Sequence, residues 1–249
     1  MSDDSVTRFN DRAADYVRYR PGYPPAAIDA ILDGLAPPRL LVAADIGAGT
    51  GISARLLGER GVRVIAVEPG EAMRAAAAPH EKVRWMGGRA EATGLSPASV
   101  DLVLCAQSFH WFHPPDALAE FARILKPGGR LAIVWNRRSQ TDGFTAGYRQ
   151  AILDVGGEIA AERMPFDPDG VARTSQFFPP ERLAFPNDQR LDLAGLIGRA
   201  RSASYVPKSG PDAERLVELL RALHARHADA DGFVTLVYET EVFRATARP

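Results

Sequence analysis

The chain has 249 residues with 30 basic and 31 acidic side chains, a formal net charge of -1 at pH 7, and 46% hydrophobic against 24% charged residues. That length and apolar content predict one α/β-sized unit with additions and exclude disorder. The balanced charge lacks the footprint of a nucleic-acid binder and no apolar run reaches the roughly 20 residues of a membrane span, so the expected partners are small molecules, with no nucleic acid and no membrane.

Met1-Ser2-Asp3-Asp4 has neither the basic nor the apolar region of a secretory signal, which predicts a cytoplasmic protein. Residues 5–36 hold Tyr16-Val17-Arg18-Tyr19-Arg20-Pro21-Gly22-Tyr23-Pro24-Pro25 and a short amphipathic helix around Ile28, Ile31 and Leu32. Three tyrosines and two arginines among prolines suit a cap over a site better than a freely solvated loop. From about residue 40, short apolar runs alternate with helical stretches, the pattern of βαβ units around a parallel sheet. Strands are predicted over Leu40 to Asp45, Arg63 to Glu68, Val83 to Met86, Asp101 to Ala106 and Arg130 to Trp135. Helices are predicted over Thr50 to Arg60 and Asp116 to Leu125, the second stopped by Pro127-Gly128-Gly129. A helix from about Phe144 to Ile159 leads into a Pro- and Phe-rich stretch that reads as an irregular lid-like insertion, about 157–180. Leu193 to Ala203 and Asp212 to His227 read as helices, and Gly232 to Arg244 alternates like a final antiparallel edge strand. Cys105, the only cysteine, lies in an apolar run and reads as a core residue.

Two features carry chemistry. The first strand ends in Asp45-Ile46-Gly47-Ala48-Gly49-Thr50-Gly51, a glycine-rich loop passing into a helix at the strand's carboxyl end, where open α/β sheets bind ligands. The second strand ends in Val67-Glu68-Pro69, which places a carboxylate where Rossmann-type sites bind ribose hydroxyls. A dinucleotide fingerprint needs G-x-G-x-x-G; its third glycine falls at Ile52, so a nicotinamide-dependent oxidoreductase is the weaker alternative.

With Gly88-Arg89-Ala90-Glu91-Ala92-Thr93-Gly94-Leu95, Ser99-Val100-Asp101-Leu102-Val103-Leu104-Cys105-Ala106 and Leu125-Lys126-Pro127-Gly128-Gly129 following in order, the sequence resembles the class I S-adenosylmethionine-dependent methyltransferases. The likeness is to the small-molecule group that includes ubiquinone/menaquinone-biosynthesis and trans-aconitate methyltransferases (methyltransferase type 11). It covers roughly residues 5–140; Phe9, the Tyr16 to Pro24 segment and Gln107-Ser108-Phe109-His110-Trp111-Phe112 belong to it as well, and the C-terminal third matches loosely. The resemblance implies an α/β fold with a Rossmann-like seven-stranded, mostly parallel sheet, helices on both faces and an antiparallel last strand. It also implies an N-terminal cap over 1–36 and a methyltransferase domain over 37–249.

Carried over residue by residue, the resemblance implies that Asp45 and the Gly47, Gly49 and Gly51 loop hold the methionine part of S-adenosylmethionine. Glu68 would grip the ribose, Pro69 and Met73 line the adenine pocket, and Arg89, Ala90 and Glu91 meet the adenine edge. Many relatives carry Asp where this chain has Arg89, so backbone contacts or stacking of Arg89 must serve there. Ala106 and Gln107 would lie beneath the sulfonium, with Tyr16 and Arg20 of the cap also on the cofactor. Tyr19, Tyr23, Trp111, Phe166 and Phe177 are the candidate acceptor-binding residues, though core packing explains the phenylalanines equally well. Aromatic faces of Tyr16, Tyr19 or Trp111 suit a sulfonium cation. The expected reaction is in-line transfer of a methyl group to an O, N or C atom of a small molecule, leaving S-adenosylhomocysteine, with no metal. His110, just beyond the fourth strand, is either a general base or a packing residue beside Trp111. His224 and His227 share a late helix without an acidic partner and read as a solvated face. A monomer or homodimer is expected, and a cofactor-binding protein of the same fold without turnover is the remaining alternative.

Overall fold

The computed structural model describes residues 17–156, 167–203, 205–207 and 209–248. Helix α1 (Pro25–Leu32) opens with a proline, tolerated in the first turn, and buries Ala27, Ile28, Ile31 and Leu32. The elements that follow are β1 (Val42–Ile46), α2 (Ile52–Glu59), β2 (Arg63–Val67), α3 (Glu71–Ala75), β3 (Val83–Met86) and β4 (Val100–Ala106). A 3₁₀ turn at Phe109–Trp111 precedes α4 (Pro114–Ile124), β5 (Leu125–Arg138), α5 (Gly143–Leu153), α6 (Pro168–Ala172), β6 (Glu181–Leu191), α7 (Leu193–Arg201), α8 (Pro211–His227) and β7 (Val234–Thr246).

The seven strands form one sheet in the order β3-β2-β1-β4-β5-β7-β6. Strands β1 to β5 are parallel, with Asp45 level with Ala66 on β2 and Leu104 on β4; β7 runs antiparallel to both its neighbours. Alternation along the strands separates two apolar layers. Ala44, Ile46, Val103, Cys105, Leu131 and Ile133 face α4 through Phe121 and Ile124, while Ala43, Leu102, Leu104, Ala132 and Val134 face α1 and α2 through Ile28, Ile31 and Leu57. Each such large aliphatic side chain, fully buried, stabilises the fold by about 1.5–3 kcal/mol. A third cluster, Tyr148, Leu196, Leu220 and Tyr238 among its members, joins α5, α7 and α8 to β7.

Three expectations are corrected. The final strand is not at the edge of the sheet: β7 lies between β5 and β6, and β6 is a seventh strand where no strand was predicted. Pro127-Gly128-Gly129 lies inside β5, where the pairing jumps from Val100–Leu125 to Leu102–Arg130 and the intervening residues loop out, with Gly128 at φ 74°. Helix α5 ends at Leu153, short of Ile159, and the start of the expected insertion, 157–166, lies outside the described residues. The rest of that insertion carries α6 and then Phe177, bridged to Ala247.

Among the described residues no helix is long and apolar enough to cross a membrane, and no group of three or more His, Cys, Asp or Glu is arranged to hold a metal ion. A His224 ring nitrogen lies 3.1 Å from the Gly232 carbonyl oxygen, and the His227 ring packs on Phe144 with centroids 5.6 Å apart.

Candidate active site

The loop after β1 turns through three left-handed glycines, Gly47 (φ 66°), Gly49 (58°) and Gly51 (78°). The Gly47 and Ala48 N–H groups both donate to the Val67 carbonyl at 2.9 and 3.2 Å, which ties the loop to the end of β2. Space also demands glycine here. A Cβ at Gly47 would stand 2.7 Å from Ser108 Cβ, and one at Gly51 2.7 Å from the Trp85 ring.

Asp45, the penultimate residue of β1, is fully buried. Its Oδ2 accepts from Ser53 Oγ at 2.7 Å, while Oδ1 has no hydrogen-bond partner among the described residues. Burial pushes its pKa up to about 7 against the Ser53 and Ala54 hydrogen bonds, and the Glu68 charge adds to the rise. Glu68 directly follows β2, so the two carboxylates stand at the carboxyl ends of adjacent parallel strands. Glu68 Oε1 accepts from the Gly70 N–H at 2.8 Å and Oε2 from the Gly49 N–H at 2.9 Å. Burial raises its pKa, opposed by those two N–H groups and by Arg74. Each oxygen keeps a lone pair for a further donor. Met73 on α3 is buried and Pro69 half-buried beside them.

Beyond β3, Arg89 and Ala92 bond each other's backbones at 3.3 and 3.1 Å. This turn buries Ala90 and leaves the Arg89 side chain exposed. Glu91 Oε1 accepts from the His113 N–H at 2.9 Å. At the end of β4, half-buried Ala106 is followed by Gln107 in the left-handed region (φ 56°), an uncommon conformation for a non-glycine residue and one that clusters at functional sites. Its N–H donates to the Val134 carbonyl at 2.9 Å and its Nε2 to the Asn136 carbonyl at 3.3 Å. Ser108 Oγ then donates to the Ile46 carbonyl at 2.7 Å and fills the space a Gly47 side chain would need.

His110 sits between two indoles, ring centroids 4.7 Å from Trp111 and 5.2 Å from Trp135. Its Nδ1 is buried with no hydrogen-bond partner among the described residues, and Trp135 Nε1 is in the same state. Burial, aided by the Arg20 charge, lowers its pKa to about 4, so the ring is neutral at pH 7, with one nitrogen a donor and the other an acceptor.

Of the cap predicted over 1–36, residues 17–36 are described, and the segment 17–24 ahead of α1 is pinned at the carboxyl end of β5 and along β6. Gly22 O accepts from Asn136 Nδ2 at 2.9 Å and Asn187 Nδ2 at 3.1 Å, and Tyr19 O from Gln189 Nε2 at 2.8 Å. Arg20 Nη2 donates to the Ser202 carbonyl at 3.1 Å, and the Tyr19 ring lies where a Cβ on Gly198 would stand, 2.3 Å away. Tyr23 packs on the α1 and α2 side of the sheet. Residues that pin this strap, namely Asn136, Asn187, Gln189 and Gly198, carried no signal in the sequence because their partners in the strap are over 100 residues away; Ser53, which holds Asp45, was not singled out either.

The structure thus gathers Asp45, the glycine loop, Glu68, Pro69 and Met73 at the ends of β1 and β2, and Ala106, Gln107, His110 and Trp111 at the end of β4. Tyr16 and Phe166 lie outside the described residues. Phe177 does not belong to this assembly. It is fully buried and bridged to Ala247, whose N–H donates to Gly129 at the amino end of β5, so it packs the core at the opposite end of the sheet; Phe178 is exposed beneath Arg248.

Residues 44–133 match a family described as a methyltransferase domain. An uncharacterised methyltransferase of Mycobacterium tuberculosis is 35% identical over 248 residues, spanning 98% of this chain and 97% of the relative. Among solved structures, a candidate type II methyltransferase from Anaeromyxobacter dehalogenans shares 30% identity at a TM-score of 0.63, covering 92% of this chain and 98% of its own. A candidate methyltransferase from an antibiotic biosynthesis pathway of Anabaena variabilis shares the fold, at 24% identity and a TM-score of 0.60 over 87% of this chain and 96% of its own. With the glycine loop, the paired strand-end carboxylates and the sheet order already described, this likeness along nearly the whole chain makes it a member of the class I S-adenosylmethionine-dependent methyltransferases.

Proposed function

We propose that the protein transfers the methyl group of S-adenosylmethionine to an O, N or C atom of a small-molecule acceptor. The observation that carries this reading is Asp45 Oδ1, a buried carboxyl oxygen with no hydrogen-bond partner among the described residues, beside a glycine loop and a second carboxylate at the end of the neighbouring strand. A buried polar atom in that state is costly unless a ligand completes it, and an ammonium group does so. When bound, S-adenosylmethionine would supply an electrophilic methyl carbon for in-line attack by the acceptor, with the C–S bond breaking and S-adenosylhomocysteine as the leaving group.

The chain's residues then have a division of labour. Asp45 holds the ammonium, Glu68 the ribose hydroxyls, and Pro69, Met73 and the Arg89 to Glu91 backbone the adenine. Ala106 and Gln107 support the reacting end, and the strap that carries Tyr19, Arg20 and Tyr23 covers it and excludes water; a cofactor contact for Tyr16 is part of the same reading. Holding nucleophile, methyl and sulfur in line is worth on the order of 7–11 kcal/mol in good intramolecular systems. Neutral His110 positions the acceptor, or takes its proton where it has one to lose. In this reading residues 1–36 are a cap on a domain that spans 37–249, and the enzyme works in the cytoplasm as a monomer or homodimer.

Titration calorimetry with S-adenosylmethionine, S-adenosylhomocysteine and NAD tests the reading. The first two should bind and NAD should not. Glu68→Ala should weaken S-adenosylhomocysteine by about 10- to 150-fold, the loss expected for charge-assisted hydrogen bonds of about 1.5–3 kcal/mol. Unchanged affinity in that variant removes Glu68 from the site.

A further inference from the structure

Behind the strap, where α5, α7 and β7 meet the carboxyl end of β5, a half-buried arginine and a buried one stand among three tyrosines. Arg138, the last residue of β5, donates from Nη2 to Tyr205 Oη at 3.0 Å, and its guanidinium lies 5.3 Å from the Tyr148 ring centre. Arg199 of α7, only 3% exposed, donates from Nε to Tyr238 Oη at 3.3 Å and from Nη1 to Ser202 Oγ at 3.4 Å. No carboxylate pairs with Arg199 among the described residues. Tyr148 is fully buried, and its hydroxyl has no hydrogen-bond partner among them.

A guanidinium cannot shed its proton to escape burial, and neutral hydroxyls offset only part of the cost of taking it out of water. Here a fixed cation and a hydroxyl donor without a partner among the described residues lie in one cluster, which is the chemistry of an oxyanion subsite. The field at the cluster agrees. Burial alone would raise the Tyr205 and Tyr238 phenols, yet the Arg138 and Arg199 charges outweigh it and hold both below the usual range. The cluster also adjoins the reacting end of the site. The Ser202 carbonyl takes Arg20 of the strap and the Ser202 hydroxyl meets Arg199, while Tyr238 Oη reaches Gln189, whose amide holds Tyr19.

We infer that Arg199 and Arg138, with the hydroxyls of Tyr148, Tyr205 and Tyr238, bind a carboxylate of the methyl acceptor. Carboxylate is the ligand class chosen because a guanidinium fork donates side by side to its two oxygens and the Tyr148 hydroxyl, without a partner among the described residues, adds a further donor. The inference deepens the methyltransferase reading and rests on it. It is separate from Asp45 and Glu68, the groups assigned to the cofactor at the ends of β1 and β2.

The test uses full-length protein saturated with S-adenosylhomocysteine, so that the cofactor site is filled. Benzoate, fumarate and citrate are titrated by calorimetry and melting temperature up to about 20 mM, beside benzamide and inorganic phosphate. At least one carboxylate should bind while benzamide does not, and Arg199→Leu should weaken it about 10- to 100-fold with S-adenosylhomocysteine affinity held within about twofold. Tyr148→Phe, which removes one hydroxyl from a packed ring, should weaken the same carboxylate several-fold, and Arg199→Lys should fall between wild type and Arg199→Leu. The lysine and phenylalanine variants decide the matter if the leucine variant does not fold. Carboxylates that bind to none, that bind wild type and both variants alike, or that give way to phosphate overturn the inference. Failure of S-adenosylhomocysteine to bind wild type instead overturns the reading beneath it.

Discussion

Asp45→Asn isolates the energetic consequence of burying a carboxyl at the end of β1. In the folded chain this group titrates near 7, and in the unfolded chain near 3.9. The fold therefore retains a proton that the unfolded chain has released. Its contribution to stability is fully present below about pH 4 and is lost as the pH rises through about 7. Three units correspond to about 4 kcal/mol in total, of which about 2 kcal/mol falls between pH 5 and pH 7. Asparagine cannot ionise but keeps an oxygen for Ser53 Oγ, so the variant removes the titration and preserves the contact. Urea unfolding of both cofactor-free proteins at intervals from pH 5 to pH 8 should show the wild type losing about 2 kcal/mol relative to the variant by pH 7. Ligand binding should run the opposite way. An ammonium needs the ionised carboxylate, so wild-type affinity for S-adenosylhomocysteine should rise up to about tenfold per unit below pH 7, and Asp45→Asn should bind weakly with no such slope. Stability curves that stay parallel across the pH range refute the burial argument.

Gly198→Ala suits a helix interior but sets a methyl against the Tyr19 ring, so the melting temperature should hold while proteolysis within residues 17–24 accelerates and activity falls. Gly47→Ala meets both a left-handed backbone and Ser108 Cβ, and should cost about 2–4 kcal/mol in urea unfolding together with cofactor binding. His110→Asn should slow single-turnover methylation by about 10²- to 10⁴-fold for acceptors that lose a proton and leave carboxylate acceptors nearly unaffected. Because burial holds the ring neutral well below pH 7, the wild-type rate should not fall between pH 8 and pH 6 through His110 protonation.

Strands β1 to β5 were legible because strands covered on both faces are written as short unbroken apolar runs between turn residues. Strand β6 was not. Glu181, Arg182, Asp188 and Arg190 alternate with half-buried positions, and Pro186 sits mid-strand opposite Glu239, which an edge position tolerates and a central one would not. The same alternation in β7 reads as an edge, although β7 is paired on both sides; its charged residues find partners across the sheet, Glu241 with Arg137 and Arg182. At the site, Asp45, Glu68 and the glycines announce themselves because their constraint is local. Phe177 misled because an aromatic residue beside prolines looks alike in a pocket and in a core. The Arg138, Arg199, Tyr148 and Tyr238 cluster draws on four separate elements, and nothing in the spacing of those residues brings them together.

The position of β7 has a consequence for how the chain is made. Strand β6 has no neighbour except β7, and β5 has none on that flank, yet β7 follows both in the sequence. On a ribosome the first five strands emerge able to assemble on one another, while residues 181–191 wait with open backbone groups on both sides. That interval exposes a sheet edge to other chains, and the charges and proline of β6 guard it during the wait. A chain stopped before residue 234 would leave β6 wholly unpaired and β5 with an open flank.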